Sequence, residues 1–375
     1  MREFTKLVFV WDNFGPMHVD RISACAKYFH GSMNVVGVEM FSKSSTYEWK
    51  VDDFGGFDKI TLFENLDFNQ VGFFRRFFRL FIRLFFIGKS KVVFCHYERA
   101  EVFLCALIMR FMLRDVYLMN VSKFDDVPRS RWRELAKSFF YLPYKAGITS
   151  GGRTSMYMSF LGIPQDKIFA PYNSLSLARV RLALSTFEDF DYLNRDFVVV
   201  SRFVKKKNLF TVLDAFSKYR FQLGGQRRLK MIGSGELELD LKNYASKLAV
   251  DKYIDWFGFL QSDEVAIHVA KSVALILIST EEQFGNVVIE SMALGVPCLV
   301  SPEVGARDIL IKSGVNGFVV ESNNSLGLAF FMNILSSDYS TWRRMSIDAC
   351  NAAEYFDSSN FAVGIAKMIG VEDPR

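Results

Sequence analysis

The chain has 375 residues, enough for two domains with cores of ordinary size. Half of the residues are apolar and 23% are charged, which excludes extended disorder, and no run of about 18 apolar residues occurs, which excludes a transmembrane helix. Net charge is +5, unevenly placed: residues 1–190 hold 26 Lys/Arg against 19 Asp/Glu, residues 191–375 hold 20 against 22, so the first half attracts anions.

Taken in chain order, the first half reads as strand and helix in alternation. Apolar runs at Lys6–Trp11, Val35–Met40, Lys59–Phe63, Lys91–Cys95, Val116–Asn120 and Ala146–Thr149 predict strands. Helical patterns fall between them at Met17–Phe29, Gln70–Ile87, Arg99–Leu113, Arg131–Leu142 and Arg153–Leu161. The alternation restarts after a polar stretch. Strands are predicted at Phe197–Ser201, Leu229–Ile232, Tyr253–Trp256, Ala274–Ile278 and Pro297–Val300, with helices at Leu209–Tyr219, Leu237–Leu248, Asp263–Ala270 and Asn286–Leu294. Such repetition is the signature of parallel sheets covered by helices on both faces. The predicted fold is therefore α/β, two doubly wound domains of Rossmann type: residues 1–181, a linker at 182–195, residues 196–355, and a final helix within 356–375 that crosses back to the first domain. Ligands of such sheets bind at the carboxyl ends of the strands, and with two domains the expected site is the cleft between them.

The Met1–Trp11 stretch carries Glu3 and Lys6 and lacks the pattern of a secretory signal. Cys25, Cys95, Cys105, Cys298 and Cys350 are odd in number, widely spaced and without a Cys-x-x-Cys. A disulfide framework and a zinc ribbon are both disfavoured, and a reducing cytoplasm is the expected setting.

The densest motif is Glu281-Glu282-Gln283-Phe284-Gly285-Asn286, running into a predicted helix that carries Glu290. Gly285 permits close backbone approach, and the helix opening at Asn286 offers N–H groups and a positive dipole end to a phosphate. Glu290, a turn further on, is placed to accept hydrogen bonds from hydroxyls. Two carboxylates flanking a phosphate-binding helix start suit a nucleotide sugar. The plain alternative is that Glu282 complements the helix dipole and Glu290 is a solvated helix residue. Ser201-Arg202-Phe203-Val204-Lys205-Lys206-Lys207-Asn208 follows the first strand of the second domain. Its Arg202 fork and lysines suit a diphosphate, the alternative being a solvated basic turn.

With these residues in view the sequence resembles the family 4 retaining glycosyltransferases, which have the GT-B fold. Matching stretches are Val198–Ser217, Leu229–Glu236 with Gly233-Ser234-Gly235, Trp256–Leu260, and Glu281 through Phe318 with Gly305-Ala306-Arg307-Asp308. The family marks its donor site with two glutamates separated by seven residues, the spacing of Glu282 and Glu290. The resemblance implies that Glu282 lies by the transferred sugar, that Glu290 holds the ribose, and that Arg202 and Lys207 hold the leaving diphosphate. The first half matches more loosely, at Gly15–Arg21, His96-Tyr97, Phe124–Arg129, Gly151-Gly152, Leu161–Pro164 and Pro171–Asn173. Three positions depart from the family pattern. Ser201 and Asn208 stand where glycines are usual, and Gln283 stands where Glu-Gly-Phe-Gly is common.

Gly15 belongs to the expected donor loop. His18 and His96 follow first-domain strands, where a histidine hydrogen-bonds a sugar hydroxyl or carries a proton. The alternative for each is a satisfied structural histidine. Asp126 is a candidate for orienting an acceptor hydroxyl, or a turn acid ahead of Pro128. Asp189-Phe190-Asp191 has the form that binds Mn²⁺ or Mg²⁺ in other glycosyltransferases. It sits in the linker, not at a strand end, and a metal-independent enzyme without cofactor is expected.

Residues 73–91 are the other unusual stretch. As a helix they place Arg75, Arg76, Arg79 and Arg83 on one face and Phe74, Phe77, Phe78, Phe81, Leu84 and Phe85 on the other. Cations and aromatics together suit an anionic membrane interface, the alternative being a helix packed on the first sheet. Nucleic acid is disfavoured, since no recognition motif accompanies the basic residues. The expected function is transfer of a sugar from a nucleoside diphosphate to a glycan or lipid-linked glycan, in polysaccharide or lipopolysaccharide assembly. Rivals are a GT-B epimerase or phosphorylase, and a non-catalytic sugar or nucleotide binder. An oxidoreductase is disfavoured because no Gly-x-Gly-x-x-Gly follows Lys6–Trp11.

Overall fold

The computed structural model describes residues 5–43, 55–127, 129–185 and 191–371. Pro128, Thr186, Glu188, Asp189 and Phe190 lie outside the described residues. The chain divides into two units, one of Met1–Phe124, Pro128–Ser176 and Phe356–Arg375, the other of Asp125–Val127 and Leu177–Tyr355.

In the first unit the strands are β1 (Lys6–Trp11), β2 (Asn34–Phe41), β3 (Asp58–Phe63), β4 (Ser90–Phe94), β5 (Asp115–Met119), β6 (Gly147–Ile148) and β7 (Ile168–Phe169). They pair in parallel in the order β3-β2-β1-β4-β5-β6-β7. Helices α1 (Pro16–Tyr28), α2 (Phe73–Phe86), α3 (Ala100–Phe111), α4 (Arg131–Tyr141) and α5 (Arg153–Phe160) connect them. The near-continuous apolar runs of β1, β2 and β4 follow from burial on both faces. One face packs Leu80 and Leu84 of α2 and Val102 and Met109 of α3 against Val8, Val36 and Val92.

The second unit begins with α6 (Leu177–Ser185). Its strands are β8 (Asp196–Val200), β9 (Leu229–Ile232), β10 (Ile254–Gly258), β11 (Ser272–Leu277), β12 (Cys298–Val300) and β13 (Gly317–Val319), in the parallel order β10-β9-β8-β11-β12-β13. Between and after them run α7 (Leu209–Phe221), α8 (Glu238–Lys247), α9 (Ser262–Ala270), α10 (Asn286–Ala293), α11 (Ser325–Ser337) and α12 (Tyr339–Ala353). Phe197, Val199, Val212, Phe216, Met231, Ile276, Met332 and Trp342 lie in one core. The last helix, α13 (Ser358–Ile369), belongs to the first unit, where Phe361 and Ile365 pack with Ile22 and Cys25 of α1.

Three details differ from the sequence reading. The division falls between Ser176 and Leu177, ahead of the 182–195 stretch, because α6 clusters with the second unit and carries Leu182 within a helix. Helices α6, α11 and α12 and strands β7 and β13 were not expected. Arg76 does not share an outer face with Arg75, Arg79 and Arg83. Its Nε lies 2.7 Å from Glu101 Oε1, its Nη1 donates to Val71 O at 2.6 Å, and its guanidinium stacks 4.1 Å over Phe68. A buried carboxylate on α3 draws the arginine inward, since Glu101 needs a charged partner.

Candidate active site

In each sheet the strand order reverses at one place, between β1 and β4 in the first unit and between β8 and β11 in the second. Loops leaving neighbouring strands there diverge to opposite faces and open a crevice at the carboxyl ends. The candidate residues other than Asp126 follow the strands at these two places.

In the second unit, Arg202 follows β8 and is half-buried. A short 3-10 turn, Lys205–Lys207, then leads to Asn208 and α7. The β11 loop comes alongside. Thr280 N–H donates to Lys206 O at 2.9 Å, and Lys207 Nζ pairs with Glu282 Oε2. Ser279 Oγ donates to the same carboxylate oxygen at 3.5 Å. The two side chains are only 14% and 16% exposed, so the charge-assisted pair is largely shielded from water.

Asn208 has φ 55°, ψ 38°, the left-handed region. Its Nδ2 donates to Ile278 O at 3.2 Å and Ser322 O at 2.6 Å, and its Oδ1 accepts from Thr211 at 2.8 Å. The departure from glycine is thus explained: asparagine tolerates this backbone and adds three tethers. Ser201, the other departure, has its Oγ buried without a hydrogen-bond partner. Gly233 has φ 130°, and a Cβ there would sit 1.9 Å from Ser201 O, so β8 and β9 can leave the sheet this close only with glycine.

Gly285 caps α10 with φ 91°, ψ 68°, and Asn286 opens the helix. Phe284 is buried and anchors the loop, its carbonyl accepting from Ala306 N–H at 2.8 Å. Glu290 lies half-buried in α10, one turn past Asn286. Arg202, Lys207, Glu282, Gly285, Asn286 and Glu290 therefore all belong to the β8 and β11 loops and the helix that follows. Together they offer cations, helix N–H groups and two carboxylates.

In the first unit, His96 follows β4 with φ 57°, a conformation uncommon for a non-glycine residue. Its Nε2 lies 3.8 Å from Asp12 Oδ2 and its Nδ1 3.4 Å from Glu98 Oε1. Burial works against its charged form, but Cys95, Glu98 and Asp12 more than offset this and hold its pKa well above 6.5. Asp12 also forms a two-point ion pair with Arg99, one contact being Nη1 to Oδ1 at 2.7 Å. Burial nonetheless raises the Asp12 pKa.

His18 differs. Its Nδ1 accepts from Gly15 N–H at 3.0 Å, and its ring lies 5.2 Å from that of Trp11. Burial first, then Arg21 and His96, lower its pKa from 6.5 to about 3. It is a neutral imidazole whose Nε2 carries the proton, suited to donating a hydrogen bond. Gly15, after β1, is the N-cap of α1 in the first unit. Asp126 is buried and clusters with the second unit.

Asp12 and Arg99 were not singled out in the sequence, and Ser201 was noted there only as a departure from a family glycine. A polar residue just past an apolar strand was the available signal for Asp12 and Ser201, the same signal that marks His96. Among the described residues no three His, Cys, Asp or Glu side chains come together as a metal site. No described helix is long and apolar enough to cross a membrane.

Residues 189–350 match the family model of the glycosyl transferases group 1. The chain is 28% identical over 164 residues to the Vi polysaccharide biosynthesis protein VipC/TviE of Salmonella typhi, covering 44% of this chain and 28% of that protein. It is 28% identical over 141 residues to the lipopolysaccharide 1,6-galactosyltransferase of Escherichia coli K12, covering 36% of this chain and 38% of that one. The matched stretch thus spans well under half of each relative. Among solved structures, the lipopolysaccharide outer core galactosyltransferase WaaB superposes with a TM-score of 0.71 at 17% identity, covering 98% of this chain and 99% of that one. Anabaena HepE in complex with UDP and glucose gives 0.72 at 16% identity, with the same coverage. Two parallel-sheet α/β units matched over nearly the full length identify the fold as GT-B.

Proposed function

We propose that this chain, whose residues 189–350 match the family model of the glycosyl transferases group 1, transfers a sugar from a nucleoside diphosphate to a hydroxyl of a glycan or lipid-linked glycan. The observation that carries the reading is the Lys207–Glu282 pair, set beside the N-terminus of α10 with Glu290 one turn on. A diphosphate needs cations and N–H donors, and a sugar needs carboxylates that accept from hydroxyls. Both sets converge on one edge of one sheet. UDP is the favoured nucleotide, since HepE is solved with UDP and glucose. Polysaccharide or lipopolysaccharide assembly is the favoured setting, as the names of the relatives suggest.

Arg202 and Lys207 would hold the leaving diphosphate, Ser201 Oγ would donate to a phosphate oxygen, and Glu290 would accept from the ribose. Glu282 would face the transferred sugar and stabilise positive charge growing at its anomeric carbon. In the proposed retaining step the acceptor oxygen bonds to that carbon as the bond to the diphosphate oxygen breaks. The acceptor proton passes to the departing phosphate oxygen, so no separate nucleophile is required. His96 and His18 of the first unit would bind hydroxyls. The cations make a metal ion dispensable in this reading. A lipid-linked acceptor would place the enzyme at the inner face of a cytoplasmic membrane.

The test is a calorimetric titration with UDP, GDP and ADP and their sugar conjugates, with and without EDTA. Binding of one nucleotide, unaffected by EDTA and weakened about 10- to 100-fold in Arg202→Ala, supports the reading. Binding of none of them overturns it.

A further inference from the structure

We infer that the cavity between edge strand β3 and helix α2 seats the phosphate of an anionic phospholipid, with α2 lying on the membrane surface around it. The cavity has a volume of about 580 Å³ and is lined by Ile60 and Leu62 of β3 and by Arg75, Phe78, Arg79 and Arg83 of α2. Three arginines thus line one recess together with apolar side chains. Two of them lie against the Phe63 ring, Arg75 at 5.7 Å and Arg79 at 5.2 Å, which fixes where the charge is presented. Guanidinium forks match phosphate oxygens, and the apolar walls match the glycerol and acyl carbons next to a headgroup.

The surroundings fit a membrane rather than a small anion alone. Helix α2 fully buries only Leu80 and Leu84. Phe74 and Phe86 are 72% and 76% exposed, and Phe78, Ile82 and Phe85 are exposed as well. A helix serving only the core would not turn so many aromatics to solvent. The apolar surface continues onto the end of α3: Arg114, just past it, donates to Leu84 O at 2.8 Å and Phe85 O at 3.1 Å, and neighbouring Leu113 is 88% exposed. Residues 73–91 contain Arg75, Arg76, Arg79, Arg83, Lys89 and Lys91 and no Asp or Glu. A second copy of the chain meeting this face with its own would bring cations onto cations, whereas anionic headgroups complement it.

The inference deepens the membrane placement in the reading above. Vesicle binding is measured without nucleotide or acceptor, so its failure leaves sugar transfer standing, and loss of sugar transfer leaves it standing. The full chain is sedimented with vesicles of phosphatidylcholine alone and of phosphatidylcholine with an equal share of phosphatidylglycerol. Binding to the mixed vesicles only is expected. Arg75→Gln/Arg79→Gln/Arg83→Gln should weaken it about 100-fold, and Phe74→Ser/Phe86→Ser should weaken it too, both with unchanged thermal midpoints. Glycerol phosphate, a free headgroup, should compete only weakly. The inference is overturned by equal binding to both vesicle types, by no binding, by wild-type binding of the folded triple variant, or by self-association that accounts for the pelleting.

Discussion

Lys207 Nζ is paired with Glu282 Oε2 although 75 residues separate them, and the pair is the point where the β8 and β11 loops meet. Each charge is mostly withdrawn from water, so removing one strands the other. Lys207→Met and Glu282→Gln should each lower stability by about 1–2 kcal/mol, and Lys207→Met/Glu282→Gln should lower it by less than the sum. Urea melts of the four proteins give the coupling directly, and additive losses would refute the pairing. In turnover the two should separate. Glu282→Gln should cost about 100-fold or more in kcat with nucleotide affinity nearly intact. Lys207→Met should lose affinity as well.

Ser201 and Asn208 replace glycines for different reasons, and substitutions should tell them apart. Ser201 Oγ is buried without a partner in the protein, so Ser201→Ala should leave stability level or slightly raised. If the hydroxyl donates to the donor phosphate, affinity for the nucleotide should fall about fivefold or more in the same variant. Equal affinity would remove Ser201 from the site.

Asn208 carries strain as well as bonds. Asn208→Ala loses the contacts to Ile278 O and Ser322 O and leaves a Cβ at φ 55° without compensation. Asn208→Gly loses the same bonds but relaxes the backbone, so it should be more stable than the alanine variant by about 1 kcal/mol. The difference in denaturation midpoint at constant m-value checks it.

Much of this arrangement was legible in the sequence because the strands are buried on both faces. Lys6–Trp11 and Leu229–Ile232 read directly as apolar runs and have these same limits in the structure. Strands β7 and β13 span two and three residues, too few to show any period. The glutamate loop was legible because its residues are contiguous. The inward turn of Arg76 was not, since it depends on Glu101 a helix away, and helical spacing alone assigned that arginine to the wrong company. The same holds for the left-handed backbone at Asn208 and for the approach of Ser201 to Gly233. These are long-range facts, and a local pattern carries no trace of them. His96 was found by its place after a strand, but Asp12 and Arg99, which share that place, were passed over for want of a family motif.

His18 and His96, both in the first unit, should give stability opposite dependences on pH. For His18 the folded pKa is about 3 against an ordinary 6.5, chiefly through burial. The unfolded chain takes up this proton near 6.5 and the folded ring refuses it, so stability from His18 is complete above 6.5 and falls as pH drops from there toward 3. For His96 the folded pKa is raised well above 6.5, burial being outweighed by Cys95, Glu98 and Asp12. Its contribution is complete below 6.5 and is lost as pH rises through the folded value. His18→Asn, whose side-chain oxygen takes the place of Nδ1 toward Gly15 N–H, should flatten the acid limb. His96→Gln should flatten the alkaline one. Imidazole proton shifts followed by NMR should show His18 failing to titrate near 6.5 while His96 stays charged beyond it. Two rings titrating together at the ordinary value would overturn the assignment of His18 as a neutral donor and of His96 as a held cation.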